Sequence, residues 1–134
     1  MNIAGSGEVS GTVLASGIDL IEIDRVETAL ARYGERFLTR VFTPAEVAYC
    51  RGRPHQLAAR FAAKEAVSKV LGTGIQHRDG VAWQEIQIVA DDHGKPEIQL
   101  SGKAARRAEQ IGLRAFALSL SHTREHAIAM VVAQ

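Results

Sequence analysis

Aromatic residues are scarce in this 134-residue chain, at 5%, and so is any excess of charge: 16 Lys and Arg stand against 15 Asp and Glu. The first shortage excludes the aromatic platforms on which single-stranded bases stack, and it leaves Ala, Val, Ile and Leu to pack the core. The second excludes whole-molecule steering of a charged partner, so local patches must supply any electrostatic attraction. One patch runs through Arg51, Arg60, Lys64 and Lys69, and another through Lys103, Arg106 and Arg107. Neither makes the long basic stripe of a nucleic-acid binder. Cys50 stands alone, which excludes an intrachain disulfide and a thiolate zinc cluster and agrees with a reducing, cytoplasmic setting. No apolar run approaches the ~20 residues of a membrane helix. The opening MNIAGSGEVSG lacks the basic and apolar regions of a secretory signal.

What is present reads as a flexible, Gly-rich N-terminal extension over residues 1–12 and one domain over 13–134. Val13 to Ile23 has the composition of a strand, with Gly17 as a bulge or a close approach. Asp24 then reads as a helix N-cap with Glu27 as its capping-box partner, and Val26, Ala29, Leu30, Tyr33 and Phe37 recur at helical spacing, interrupted by Gly34. Thr43-Pro44 opens a short helix, with Glu46 at the third helical position. His55 to Leu71, rich in Ala, Leu, Lys and Glu, is the strongest helix of the chain, and Gly72 is its natural C-cap. Val81 to Ala90 reads as a strand with a slip at Gln84-Glu85. Glu97 to Leu100 pairs back on it after a turn, and Ser101 caps a helix that Gly112 ends. Phe116 to Ser121 and the apolar run from His126 to Ala133 form a hairpin, the second strand being buried. The sum is an α+β fold, an antiparallel sheet packed on one long central helix.

Three places carry polar side chains that packing does not ask for. Asp19 lies inside the apolar strand segment GIDLI, where a carboxylate is costly unless a cation or hydrogen bonds satisfy it. Glu65 and Lys69 stand one helical turn apart, and Phe61 and Ala62 next to Glu65 suggest that this face is partly covered. Magnesium needs few carboxylates and takes its remaining ligands from phosphate and water, so Asp19 and Glu65 suffice if the strand lies against the helix. Lys69, with Arg60 and Lys64 nearby, is then placed to meet phosphates. The third place is the hairpin tip, Ser121-His122-Thr123, with His126 beyond it. Neither a P-loop nor a G-x-G-x-x-G fingerprint is present.

The segments GIDLIEIDR (17–25), RFAAKEAVSKVLGTG (60–74), WQEIQI (83–88), GKP (94–96) and SLSHTREHAIAMVV (119–132) together resemble, in order and spacing, the bacterial holo-acyl-carrier-protein synthases. That is the short type within the 4'-phosphopantetheinyl transferase superfamily. The resemblance implies the fold of that superfamily and a Mg²⁺-dependent transfer of phosphopantetheine from coenzyme A to a serine of a small acidic apo-acyl carrier protein, in fatty acid biosynthesis. It places the metal on Asp19 and Glu65 and gives Lys69 the phosphate and the leaving group. It sets Arg60, Lys64, Ser121, His122 and Thr123 around the nucleotide, and puts Arg25 against the carrier. It also implies a homotrimer with active sites at subunit boundaries. Broader transferases of this superfamily are about twice this length, so the short chain favours the carrier of primary metabolism. No role falls on His77 or Arg78.

Overall fold

The computed structural model describes residues 8–9 and 12–134. Most of the expected extension over residues 1–12 lies outside these. Its described part, β1 (Glu8–Val9), pairs antiparallel with β2 (Thr12–Val13). The main sheet has three antiparallel strands, β3 (Ala15–Glu22), β6 (Phe116–His122) and β7 (His126–Ala133), with β7 in the middle. A second, two-stranded sheet joins β4 (Ile86–Ala90) to β5 (Pro96–Leu100). Five helices accompany them: α1 (Ile23–Tyr33), α2 (Glu35–Val41), α3 (Pro44–Cys50), α4 (Pro54–Leu71) and α5 (Gly102–Gln110). Among the described residues no helix is long and apolar enough to cross a membrane.

The scarcity of aromatics decides how helix and sheet meet. α4, about 27 Å long at 1.5 Å per residue, lies across the inner face of the three-stranded sheet. It presents Ala58, Ala59, Ala62, Ala63 and Ala66, all buried, while β7 offers Ala127, Ala129 and Ala133 from the other side. Such small side chains let backbone approach backbone. The closest approach is at Gly17, where a Cβ would run into the Ala66 carbonyl oxygen and stand 3.0 Å from Val70 Cγ2. Any larger residue there must push β3 off α4.

The elements depart from the sequence reading in four places, each for a tertiary reason. α1 begins at Ile23, one residue before the expected Asp24 cap, and its N-cap residue Glu22 makes no side-chain cap bond. The Ile23 N–H instead donates to the Glu125 carbonyl across the hairpin connection, at 2.8 Å. Gly34, at φ 54°, separates α1 from α2 at the interruption expected there, in agreement with the sequence reading. The slip at Gln84-Glu85 is a one-turn 3₁₀ helix (Trp83–Glu85) that precedes β4. Ser101 sits at the N-cap of α5 without a side-chain bond, because the Glu85 carboxylate has come from the 3₁₀ turn to accept from Lys103 N–H at 2.6 Å. The fourth departure concerns β7. It is not wholly buried but alternates, and Met130 and Val132 on its outer face are 46% and 38% exposed. The Thr43–Glu46 capping box, by contrast, forms as its sequence reads.

Candidate functional site

In β3 the side chains of Ile18 and Leu20 point outward, at 54% and 61% exposure, whereas Gly17, Asp19 and Ile21 alternate to the inner face beside α4. The period of two therefore turns Asp19 toward the helix because the apolar residues around it face away. Lys69, in the last turn of α4, reaches over to β3: its Nζ lies 3.1 Å from Asp19 Oδ1 and donates to the Ile18 carbonyl at 2.7 Å. Glu65, one turn earlier on the same helix face, is half-buried. Burial, and then the negative charge of Asp19, hold its carboxyl above the usual glutamate range, while Lys69 pulls it partway back. Asp19, Glu65 and Lys69 thus act on one another electrostatically where strand and helix come closest.

Two neighbouring carboxylates, one of which raises the proton affinity of the other, are a donor set that a hard dication satisfies. Among the described residues no three His, Cys, Asp or Glu side chains converge, so a metal here would draw on these two carboxylates and on oxygens from substrate and solvent.

Lys64 requires a correction. It was expected among the phosphates, but it points into the interior and has no solvent exposure. Its Nζ pairs with Glu46 at 2.8 Å and donates to the carbonyls of Trp83 (3.0 Å) and Ile86 (2.6 Å). Those three contacts match the three donors of an ammonium, so nothing is left for a phosphate. Burial still lowers its pKa, with Glu46 opposing that shift. Glu46 in turn accepts from Thr43 N–H and Ile88 N–H. This pair ties α3, α4, the 3₁₀ turn and β4 together.

Arg60 is also buried, at 3% exposure. Its Nη1 donates to Gln56 Oε1 at 2.7 Å, its Nε has no partner, and its guanidinium carbon lies 4.5 Å from the Tyr49 ring centroid. Cys50 is fully buried beside it, and burial pushes its thiol up, so it is an inert core residue.

Ser121, His122 and Thr123 are exposed at the tip of the β6–β7 hairpin. The tip is fixed by Thr123: its N–H donates to the His126 carbonyl at 2.8 Å, and its Oγ1 accepts from His126 N–H at 3.1 Å. The His122 ring meets that of His55, at the start of α4, with centroids 4.9 Å apart. The two imidazoles border a cleft of about 310 Å³ that also touches Glu27, Thr123 and Arg124. His55 was not singled out by sequence, since a His two residues into a helix carries no local signal. A larger groove, about 510 Å³, lies between the α1–α2 junction and the segment before β4, lined by Tyr33, Arg36, Phe37, Arg40 and Trp83. Trp83 is held there by Phe61, ring to ring at 4.9 Å, and by the Lys64 bond to its carbonyl. Arg25 is exposed on α1.

A close strand–helix junction carrying two carboxylates and a lysine has the charges to hold a dication and, through it, an anion. The sequence profile of the 4'-phosphopantetheinyl transferase superfamily matches residues 15–131, and this chain belongs to that superfamily. Within it the chain is similar to the holo-[acyl-carrier-protein] synthases. It is 48% identical to that of Herpetosiphon aurantiacus over 124 residues, covering 90% of this chain and 98% of the relative. It is 48% identical to that of Dehalococcoides mccartyi strain CBDB1 over 122 residues, covering 91% and 99%. The solved Helicobacter pylori holo-[acyl-carrier-protein] synthase in complex with coenzyme A superposes with a TM-score of 0.80 at 32% identity, covering 89% of this chain and 99% of that one. A coenzyme A complex from Chronobacterium ammoniagenes gives 0.79 at 32% identity, covering 90% and 96%. The α+β fold with its antiparallel sheet on a long helix is that of these synthases, and the chain is an enzyme, a phosphopantetheinyl transferase.

Proposed function

We propose that this chain is a cytoplasmic holo-acyl-carrier-protein synthase that moves 4'-phosphopantetheine from coenzyme A to a serine of an apo-acyl carrier protein, using Mg²⁺ held by Asp19 and Glu65. The observation that carries this reading is the mutual setting of Asp19, Glu65 and Lys69 across the β3–α4 contact. Bound there, Mg²⁺ supplies charge neutralisation and orientation for the pyrophosphate of coenzyme A. The serine oxygen attacks the phosphorus that bears the pantetheine arm. A new phosphodiester bond forms, and the old P–O bond breaks with its electron pair going to adenosine 3',5'-bisphosphate. Glu65 takes the serine proton, directly or through one water, and its raised proton affinity suits it to that task. Lys69, tethered to β3 by the Ile18 carbonyl, holds its positive charge toward the departing phosphate. Arg60 and the exposed His122, Ser121 and Thr123 receive the nucleotide and its phosphates. The groove with Arg36 and Arg40 suits an acidic carrier surface, and Phe37 and Trp83 suit its apolar residues. Arg25, exposed near the start of α1, offers the carrier a further cation.

The test is to follow nucleotide and carrier together. Adenosine 3',5'-bisphosphate is expected one for one with modified carrier, and none is expected with coenzyme A alone. Release of nucleotide without a carrier would replace the transferase reading by a hydrolase.

The outer face of the main sheet supports the homotrimer. Ile18, Leu20, Met130 and Val132 are all exposed there, and Ile18 is paired with Met130 across β3 and β7. Large apolar side chains gathered on one face mark an interface, and a second copy of this chain is its occupant in this reading. Ile18→Glu combined with Met130→Lys is expected to give monomers in sedimentation velocity, with activity falling because neighbouring chains complete each other's sites. An unchanged sedimentation coefficient would remove this face from the assembly.

A further inference from the structure

Tyr49 has no part in the transfer described above, yet it is the aromatic group against which the buried Arg60 rests. Several observations set this contact apart from ordinary packing. Arg60 is 3% exposed, and among the described residues no carboxylate lies within ion-pair distance of it. A guanidinium has five N–H donors. Here Nη1 serves Gln56, and Nε is buried without a partner. Hydrogen bonds within the protein hold this side chain only at Nη1, through Gln56 Oε1 and the more distant Gln56 carbonyl at 3.5 Å. The Tyr49 ring covers the guanidinium itself, with its centroid 4.5 Å from the guanidinium carbon.

Tyr49 is itself held. Arg53, the residue before α4, donates from Nη2 to the Tyr49 carbonyl at 2.7 Å and from Nε to the Cys50 carbonyl at 2.8 Å. These bonds seal carbonyls that the end of α3 leaves without helical partners. The Arg53 guanidinium lies 5.7 Å from the same ring. The ring retains 39% of its exposure, so the Tyr49–Arg60 contact lies at the protein's edge and not deep in the core.

We infer that Tyr49 is the positioning residue for Arg60, its ring face aiming the guanidinium at a phosphate of coenzyme A. This rests on the reading that Arg60 meets that substrate. The chemistry explains the choice of an aromatic ring. A carboxylate in its place would neutralise the arginine and occupy its donors. The ring's negative face attracts the cation without cancelling its charge or taking its N–H groups, so a buried, correctly aimed and unquenched positive charge remains for the anion.

The experiment measures KM for coenzyme A and kcat in Tyr49→Phe, Tyr49→Leu, Arg60→Gln and the double variant Tyr49→Leu/Arg60→Gln. Tyr49→Phe keeps the ring and is expected to match the parent. Tyr49→Leu is expected to raise KM roughly three- to thirtyfold, the span of a cation–π contact between exposed and desolvated settings, with kcat nearly unchanged. A purely structural loss lowers the active fraction, and with it kcat, and does not move KM. The double variant is expected to match Arg60→Gln alone, because a positioning residue has nothing left to position. An unchanged KM in Arg60→Gln overturns the substrate role of Arg60. A raised KM in Arg60→Gln with an unchanged one in Tyr49→Leu overturns the role of Tyr49 and leaves Arg60 standing. Additive effects in the double variant also overturn it, since Tyr49 would then be contacting substrate independently.

Discussion

Glu65→Gln is expected to cut turnover by roughly 10²- to 10⁴-fold, the range that a positioned general base contributes, while the protein stays folded. The amide is nearly isosteric but cannot take a proton, and it is a poorer donor to a dication. The same substitution has an opposite effect on stability. Burial and Asp19 hold the Glu65 carboxyl above its usual range. The folded state therefore binds this proton more readily than the unfolded chain. Stability contributed by the protonated form is complete below the ordinary glutamate pKa and is lost as pH rises through the raised one. In metal-free buffer the neutral Gln variant is thus expected to melt above the parent at neutral pH, and the difference should vanish at a pH below the ordinary value. Turnover assays and thermal melts across pH check both halves. Near-parental turnover would remove Glu65 from the chemistry, and a melting difference that grew toward low pH would contradict the assigned electrostatics.

The second large effect concerns stability alone. Lys64→Met is expected to cost about 3–5 kcal/mol, the loss found when one partner of a buried ion pair is removed. Glu46 would keep its charge without the cation, and the carbonyls of Trp83 and Ile86 would lose their donor. For a chain of this size that loss corresponds to a fall in Tm of roughly 10–20 °C. Adding Glu46→Gln removes the stranded charge, so the double variant should melt above Lys64→Met alone. The check is a double-mutant cycle by thermal and urea denaturation. A Lys64→Met protein as stable as the parent would mean that the pair does not hold α3, α4 and β4 together, and would reopen a place for Lys64 at the phosphates.

Lys64 also shows where sequence reasoning stops. Spacing along α4 predicts which side chains are neighbours, and Glu65 and Lys69 are on one flank as that spacing requires. It does not tell which of the cations of this helix turn inward, because that depends on Glu46 arriving from α3 and two carbonyls arriving from the segment before β4. The Thr43-Pro44 start and its Glu46 box were legible because every atom involved lies within four residues. The second task of Glu46, accepting from Ile88 N–H 42 residues away, was not. The Asp24 cap failed for the same reason, since the first N–H of α1 is satisfied by Glu125 from the far end of the chain. Asp19 was legible as an anomaly, an acid among apolar residues. Its inward direction came from the strand's alternation once Ile18 and Leu20 proved to cover an outer apolar face. Tyr49 and His55 carried no local signal, for their partners Arg60 and His122 reach them only through the fold.

The most direct test of the transfer is intact-mass spectrometry of apo-acyl carrier protein after incubation with this protein, coenzyme A and Mg²⁺, beside a sample containing EDTA. A gain of one phosphopantetheine per carrier with Mg²⁺ and none with EDTA is the predicted result. An unmodified, folded carrier in both samples, or equal modification in both, would contradict the account.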